Sequence, residues 1–366
     1  TIAFGQRSNP LLILVARKTL GSSTAAIAQF LDRVVQRLEN LKTTDEELLD
    51  DIEIIDEIAE ELDEDNLIDE PDEIDQKKLA AEIEELKSYR DLALSIKANA
   101  KGEKLIAKLP EVMGEIVKLG GQNKAVIFTE SVRTQKYLAN LLSENGYSGQ
   151  VVMMNGSNND PDSRQIYNNW IEKHKGTDTI SGSRASDMKA AIVDAFRSDE
   201  KSILIATESG AEGINLQFCS LLVNFDLPWN PQRVEQRIGR CHRYGQKIDV
   251  LVVNLLNRKN RAEERVYELL ESKFQLFSGV FGASDEVLGI IESGVDFEKS
   301  ILNIMQNART DDEVQKEFDF LQDNLQEKID QDLKDARNKI FASFDEQVVA
   351  KLRTRKGDID AVLDNY

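Results

Sequence analysis

Between residues 102 and 256, short apolar runs alternate with stretches in which apolar side chains recur every three or four positions. The runs fall near 125–129, 150–154, 203–207, 220–225 and 249–256. Each is long enough for a strand and far too short to cross a membrane, and the unbroken apolar character fits strands covered on both faces. The intervening stretches read as helices. One lies near 104–119, one carries Tyr137, Leu138, Leu141 and Leu142, and two more carry Ile166 with Trp170 and Ile192 with Phe196. Strands separated by helices predict an α/β fold, a doubly wound and mostly parallel sheet.

The flanks show only the helical period. Ser22 to Thr24 can cap a helix whose apolar positions are Ile27, Phe30, Leu31, Val34, Leu38 and Leu41. Leu48, Ile52, Ile55, Ala59 and Leu62 keep the same spacing inside a strongly acidic stretch, and after Pro71 another helix carries Leu79, Ile83, Leu86, Arg90 and Ala93. Beyond the strand run at 249–256, residues 311–352 repeat Val314, Phe318, Leu321, Leu325, Ile329 and Leu333 at helical spacing. The expected organisation is a helical arm over 1–101 with an acidic segment at 43–75, an α/β lobe over 102–275, a glycine-bearing brace over 276–310 and a long helical arm over 311–366. One irregularity sits within the lobe. Gly156-Ser157 precedes Ile166 and Trp170 at the same offsets by which Gly182-Ser183 precedes Ile192 and Phe196, so residues 155–180 read as an insertion.

Charge changes the picture only when it is located. The formal net charge of −20 would argue against a nucleic-acid partner if it were spread evenly. Thr43 to Asp75 alone holds 18 Asp or Glu and no Lys or Arg, whereas basic residues slightly outnumber acidic ones between Lys101 and Asn260. The acidic stretch reads as a solvated helical face, with partner docking or DNA mimicry as the second reading. Two cysteines, Cys219 and Cys241, make neither a disulfide framework nor a metal-binding pattern, and Cys241 beside His242 has no second pair. They fit a reducing cytoplasm. No signal-peptide pattern and no long uncharged run is present, so no membrane partner is expected. A start at Thr1 suggests a piece of a longer protein.

The candidate chemistry concentrates in Ile203 to Gln246. Gly210 and Gly213 allow a tight turn after the strand at 203–207, in which backbone N–H groups can face a ligand. Pro231 suits the first turn of a helix on which Gln232, Gln236, Arg240 and Arg243 share one face. Two amides and two guanidiniums do not make a core face. They make either a solvated surface with exposed ion pairs or a grip on phosphate. Arg233 and Arg237 point elsewhere on the same helix, where an exposed ion pair and a functional role stay equally open. Asp56-Glu57 lies inside the acidic helical repeat and is read as chance rather than as a magnesium pair. G-x-x-x-x-G-K-[ST] is absent from the sequence.

Q-R-I-G-R-C-H-R at Gln236–Arg243 resembles motif VI of superfamily-two helicases, and T-E-S-G-A-E-G-I-N at Thr207–Asn215 resembles their motif V. D-L-P-W-N-P at Asp226–Pro231 and the tail H-R-Y-G-Q are similar to the Swi/Snf-type branch of DNA translocases and its bacterial members. A-V-I-F-T-E-S at Ala125–Ser131 looks like motif IV. The resemblance covers roughly residues 103–275 and implies the second RecA-like lobe of such an ATPase. It implies Arg240 and Arg243 as arginine fingers aided by Gln236, and Gly213, Asn215 and Gly239 at the nucleotide. It further implies Thr207, Glu208, Ser131, Arg133, Ser183, Arg184 and Trp229 on the nucleic-acid side. The implied cofactors are ATP and Mg2+, bound mainly by an N-terminal RecA-like lobe of the same parent chain. The implied partner is duplex DNA, with a protein partner for the arms, in the cytoplasm or on a bacterial nucleoid. Alone, this chain is expected not to hydrolyse ATP. A non-catalytic interaction module on a vestigial lobe is the alternative, and an RNA helicase lobe is a third reading.

Overall fold

The computed structural model describes residues 16, 18–40, 76–96, 99–229, 231–242 and 248–257, with separate positions between 263 and 323. The acidic segment 43–75, Arg243, most of the proposed brace and most of the C-terminal arm lie outside the described residues. The chain divides into two compact units, Thr1–Leu270 and Glu271–Tyr366. In the second, described positions between 300 and 323 are helical, with Ile301, Ile304 and Phe318 buried.

The first unit is built on five parallel strands, β1 (Ala125–Phe128), β2 (Val151–Met154), β3 (Ile203–Ala206), β4 (Leu221–Asn224) and β5 (Leu251–Asn254). Their order across the sheet is β2-β3-β1-β4-β5. Each of the five apolar runs between residues 102 and 256 supplies one strand. β1, β3 and β4 are buried at all four positions, as a central parallel sheet covered on both faces requires. Alternation then divides their side chains between two cores. Val126, Phe128, Leu204, Ala206 and Leu222 pack on one face with Ile192 and Phe196. Ala125, Ile127, Ile203, Ile205, Leu221 and Val223 pack on the other with Leu105, Leu109, Met113 and Leu138.

The helices follow as α1 (Thr24–Asn40), α2 (Gln76–Ser95), α3 (Ala100–Lys118), α4 (Val132–Leu142), α5 (Pro161–Lys173), α6 (Arg184–Arg197) and α7 (Pro231–Cys241). α1 buries Ile27, Phe30, Val34 and Leu38, and α2 buries Leu79, Leu86 and Ala93, with Arg90 paired to Asp32 at 2.9 Å across them. The two helices set apart at residue 101 in the sequence reading belong to the same compact unit as the lobe. The residues leading into α1 account for this. Ser22 Oγ donates to Asp226 Oδ2 at 2.9 Å and lies 2.7 Å from Thr134 Oγ1, while Lys18 Nζ sits 3.4 Å from Glu130 Oε1.

Within residues 155–180, α5 packs on α6 and β2. Asp160 caps it by accepting from Ser163 N at 2.9 Å, and Trp170 Nε1 donates to Asp194 Oδ2 on α6 at 2.9 Å. The chain therefore leaves β2 through the Gly156 turn, adds α5, and enters β3 from α6.

Candidate functional site

In an open parallel sheet, ligand sites form at the carboxyl ends of the strands, where the order of strand addition reverses. Here β1 is flanked by β3 on one side and β4 on the other. Three connections leave that end: Thr129–Ser131 after β1, Thr207–Gly213 after β3, and Phe225–Trp229 before α7. All but two of the described site residues expected from the sequence lie on these connections, on the loop that follows the second, or in the helices they open.

The turn after β3 is held tightly. Thr207 N donates to Met154 O at 3.0 Å, residues Glu208–Ala211 make one helical turn, and Lys189 Nζ on α6 donates to Ser209 O and Glu212 O at 3.1 and 3.0 Å. Gly213 closes the turn at φ +74°, exposed to solvent. Asn215 is exposed, and its Oδ1 accepts from Gln217 N at 3.1 Å. Leu216 N donates to Arg240 O at 2.8 Å, which brings the loop holding Gly213 and Asn215 to the C-terminal end of α7. The Thr207 hydroxyl is buried and has no hydrogen-bond partner among the described residues.

α7 presents two distinct faces. Arg233, Val234, Arg237 and Cys241 are buried, and at about 100° per residue they lie within about 60° of Arg237 around the axis. Gln236 is exposed and Arg240 half-buried on one flank, and Gly239 is exposed on the side away from the core. The Gln236–Arg240 stripe thus faces outward as its composition requires. Arg237 is the largest fully buried side chain among the described residues. Its Nε donates to Glu208 Oε2 at 2.8 Å, its Nη1 to Asn224 Oδ1 at 2.8 Å and to Asp226 O at 3.0 Å, and its guanidinium lies 4.9 Å from the Phe128 ring centroid. The signal for it in the sequence was its place between Val234 and Cys241 on one side of the helix. Its acceptors come from elsewhere in the chain and gave no signal.

The nucleic-acid candidates are dispersed. Ser131 caps α4 by accepting from Arg133 N at 3.1 Å, and both side chains are buried. Burial, with Arg33 nearby, pushes the Arg133 guanidinium down to about 10. Ser183 and Arg184 are exposed at the start of α6. Glu208 faces Arg237, so its carboxylate holds the protein's own guanidinium. Trp229 is buried, with Lys18 Nζ 5.4 Å from its ring centroid. Cys219 and Cys241 are both buried, and the hydrogen bond between them, then burial, raises the Cys241 thiol well above its ordinary value. Among the described residues no group of three His, Cys, Asp or Glu side chains could hold a metal ion, and no helix is long and apolar enough to cross a membrane.

Five parallel strands in the order β2-β3-β1-β4-β5, with a core on each face, make the doubly wound, RecA-like sheet expected from the sequence. Residues 106–245 match the helicase conserved C-terminal domain. The chain is 41% identical over 159 residues to the ATP-dependent helicase YqhH of Bacillus subtilis, an alignment covering 43% of this chain and 28% of that protein. It is 30% identical over 135 residues to the ISWI chromatin-remodeling complex ATPase ISW1 of Saccharomyces cerevisiae, over 36% of this chain and 12% of that protein. With the RNA polymerase-associated protein RapA of Serratia proteamaculans it shares 44% identity over 80 residues, 22% of this chain and 8% of that protein. The matched parts are thus about a quarter or less of these relatives' lengths. Residues 106–245 are thus similar to the helicase conserved C-terminal domain, and the chain resembles short parts of an ATP-dependent helicase, a chromatin-remodeling ATPase and an RNA polymerase-associated protein.

Proposed function

We propose that this chain supplies the second lobe of an ATP-driven motor that moves on duplex DNA. In this reading Arg240 and Arg243 reach the phosphate tail of ATP bound mainly, with Mg2+, by a first lobe of the same protein, and Gln236 orients the nucleotide or the finger. The observation that carries the reading is the orientation of α7. Its buried face fixes the helix, the backbone of the half-buried Arg240 meets the loop of Gly213 and Asn215 through Leu216, and Gln236 is exposed one turn earlier. A guanidinium so placed offers two parallel donors to developing phosphate charge and stays protonated. The Mg2+ belongs with the other lobe in this reading, because the side chains of α7 assigned to the nucleotide, Gln236 and Arg240, are an amide and a cation.

DNA contacts in this reading go to phosphate rather than to bases. The exposed Ser183 and Arg184 are the described positions suited to them, whereas Arg133 and Thr207 are buried. Trp229, shielded beside Lys18, acts through the loop before α7 rather than as a wedge between bases. The names of the relatives point the same way, to an ATP-dependent helicase, a chromatin-remodeling ATPase and an RNA polymerase-associated protein. The test is ATP hydrolysis by the full-length protein with and without duplex DNA, beside the Arg240→Ala, Arg243→Ala double variant. Duplex stimulation, and a loss on the order of 10³-fold or more in the variant, is the expected result. A variant that keeps wild-type turnover removes the finger assignment and leaves the lobe as an interaction module.

A further inference from the structure

We propose that Arg237 is a positioning residue that sets where Arg240 stands, by clamping α7 to the turn after β3. The proposal rests on the motor reading above. Arg237 is separated from solvent, and the one nucleic-acid candidate it bonds, Glu208, is held by it through an ion pair, so it acts through the helix that carries the finger.

The geometry of the clamp is specific. Three acceptors come from two separate connections: the carboxylate of Glu208 at the start of the turn after β3, the side chain of Asn224 at the end of β4, and the carbonyl of Asp226 two residues later. A planar guanidinium that meets acceptors at fixed places on both Nε and Nη1 specifies rotation of the helix as well as its distance from the sheet. The ring of Phe128, the last residue of β1, lies against its face. Asn224 is held in turn, its Nδ2 donating to Asn254 Oδ1 at 2.8 Å. A second tether, Leu216 N to Arg240 O, lies at the other end of the same loop. The Thr207–Leu216 segment and α7 therefore move as one body, and a shift in the first is delivered to Arg240.

Stability alone does not call for this residue. Arg237 Nη2 finds no acceptor among the described residues, and a buried charge with an unmatched donor is a poor substitute for an apolar side chain of similar volume. What the guanidinium adds is direction. Arg237→Lys keeps the charge and loses the fork, Arg237→Met keeps the bulk and loses both, and Glu208→Gln removes only the charge of a partly exposed partner.

The experiment uses the full-length protein with saturating duplex DNA. It reads kcat and KM for ATP in the three variants, together with hydrogen exchange of the peptide covering 231–241. The expected result is a fall in kcat of about ten- to a hundredfold for Arg237→Lys and Arg237→Met, the scale of misplacing a reacting group by about 1 Å. Glu208→Gln should show a smaller fall in the same direction. KM stays near the wild-type value, and exchange rises in 231–241 while the sheet peptides keep their protection. Wild-type kcat in both Arg237→Lys and Glu208→Gln overturns the proposal. So does a loss matched by uniform exchange across the sheet, because it shows only a damaged fold. If the wild-type protein has no duplex-stimulated turnover, the motor reading fails by itself. Hydrogen exchange then decides the clamp alone: a rise confined to 231–241 supports it, and none overturns it.

Discussion

Gly210 and Gly213 occupy one turn for different reasons. An added Cβ at Gly210 would sit 2.6 Å from the Met154 carbonyl oxygen and 2.7 Å from Asn155 Cα, backbone atoms of the last residue of β2 and the first residue after it. Gly213 has open space around it and needs glycine because of φ +74°. Gly210→Ala is therefore expected to lower unfolding stability by about 1–3 kcal/mol through forced backbone displacement. Gly213→Ala is expected to cost about 1–2 kcal/mol through a left-handed residue with a side chain. Denaturant titration of the two variants checks both, and a Gly210→Ala protein as stable as wild type would show that the turn and the end of β2 are not in contact. The sequence marks both glycines as turn formers, since that follows from residue type. For Arg237 it offers only the neighbouring positions Val234 and Cys241 on one side of the helix, because burial of an arginine depends on acceptors that Glu208, Asn224 and Asp226 contribute only after the strands assemble.

At the scale of elements, the five strands are legible in sequence to within one or two residues at either end, because each is an apolar run bounded by polar residues. Helix faces are legible where the apolar period is clean, as in α1 and α2. They are less so in α5, where only Ser163 and Trp170 are buried and the packing depends on a polar bond, Trp170 Nε1 to Asp194 Oδ2. Residues 155–180 read as an insertion, yet the helix they contain packs with Ile166 and Tyr167 on the core that α6 shares and bonds to α6 through that indole. Trp170→Phe keeps the ring and removes the donor. The expected loss is about 1 kcal/mol, below the range for bonds to charged groups because Asp194 is partly exposed. Limited proteolysis within 155–180 should become faster while cleavage elsewhere does not. An unchanged digestion pattern would mean that α5 is held by its apolar contacts alone.

Across the first unit, Asp226 joins segments that sequence reading kept apart. Its Oδ2 accepts from Thr129 Oγ1 at 2.5 Å, from Ser22 Oγ at 2.9 Å and from Glu130 N at 3.2 Å, and its Oδ1 lies 3.9 Å from Lys101 Nζ. Lys101 in turn stands 3.4 Å from Glu263 Oε2, whose carboxylate also accepts from Asn257 N at 2.8 Å. The residues before α1, the start of α3, the ends of β1 and β4 and the segment after β5 thus meet in one buried ionic cluster. Its pH dependence has a definite sign. Burial raises the Glu263 carboxyl above its ordinary 4.5, Lys101 and the Asn257 amide oppose this, and Asp226 adds to it. The folded protein therefore holds that proton more tightly than the unfolded chain. The resulting stabilisation is complete below 4.5 and is lost as pH rises through the raised folded value. Glu263→Gln removes the titration and keeps the shape, so the fall in stability across that window should be shallower than in the wild-type protein. Thermal unfolding of both proteins from below pH 4.5 to neutrality checks this. Parallel curves would mean that Glu263 titrates alike in the folded and unfolded chains, and that its burial beside Lys101 does not hold in solution.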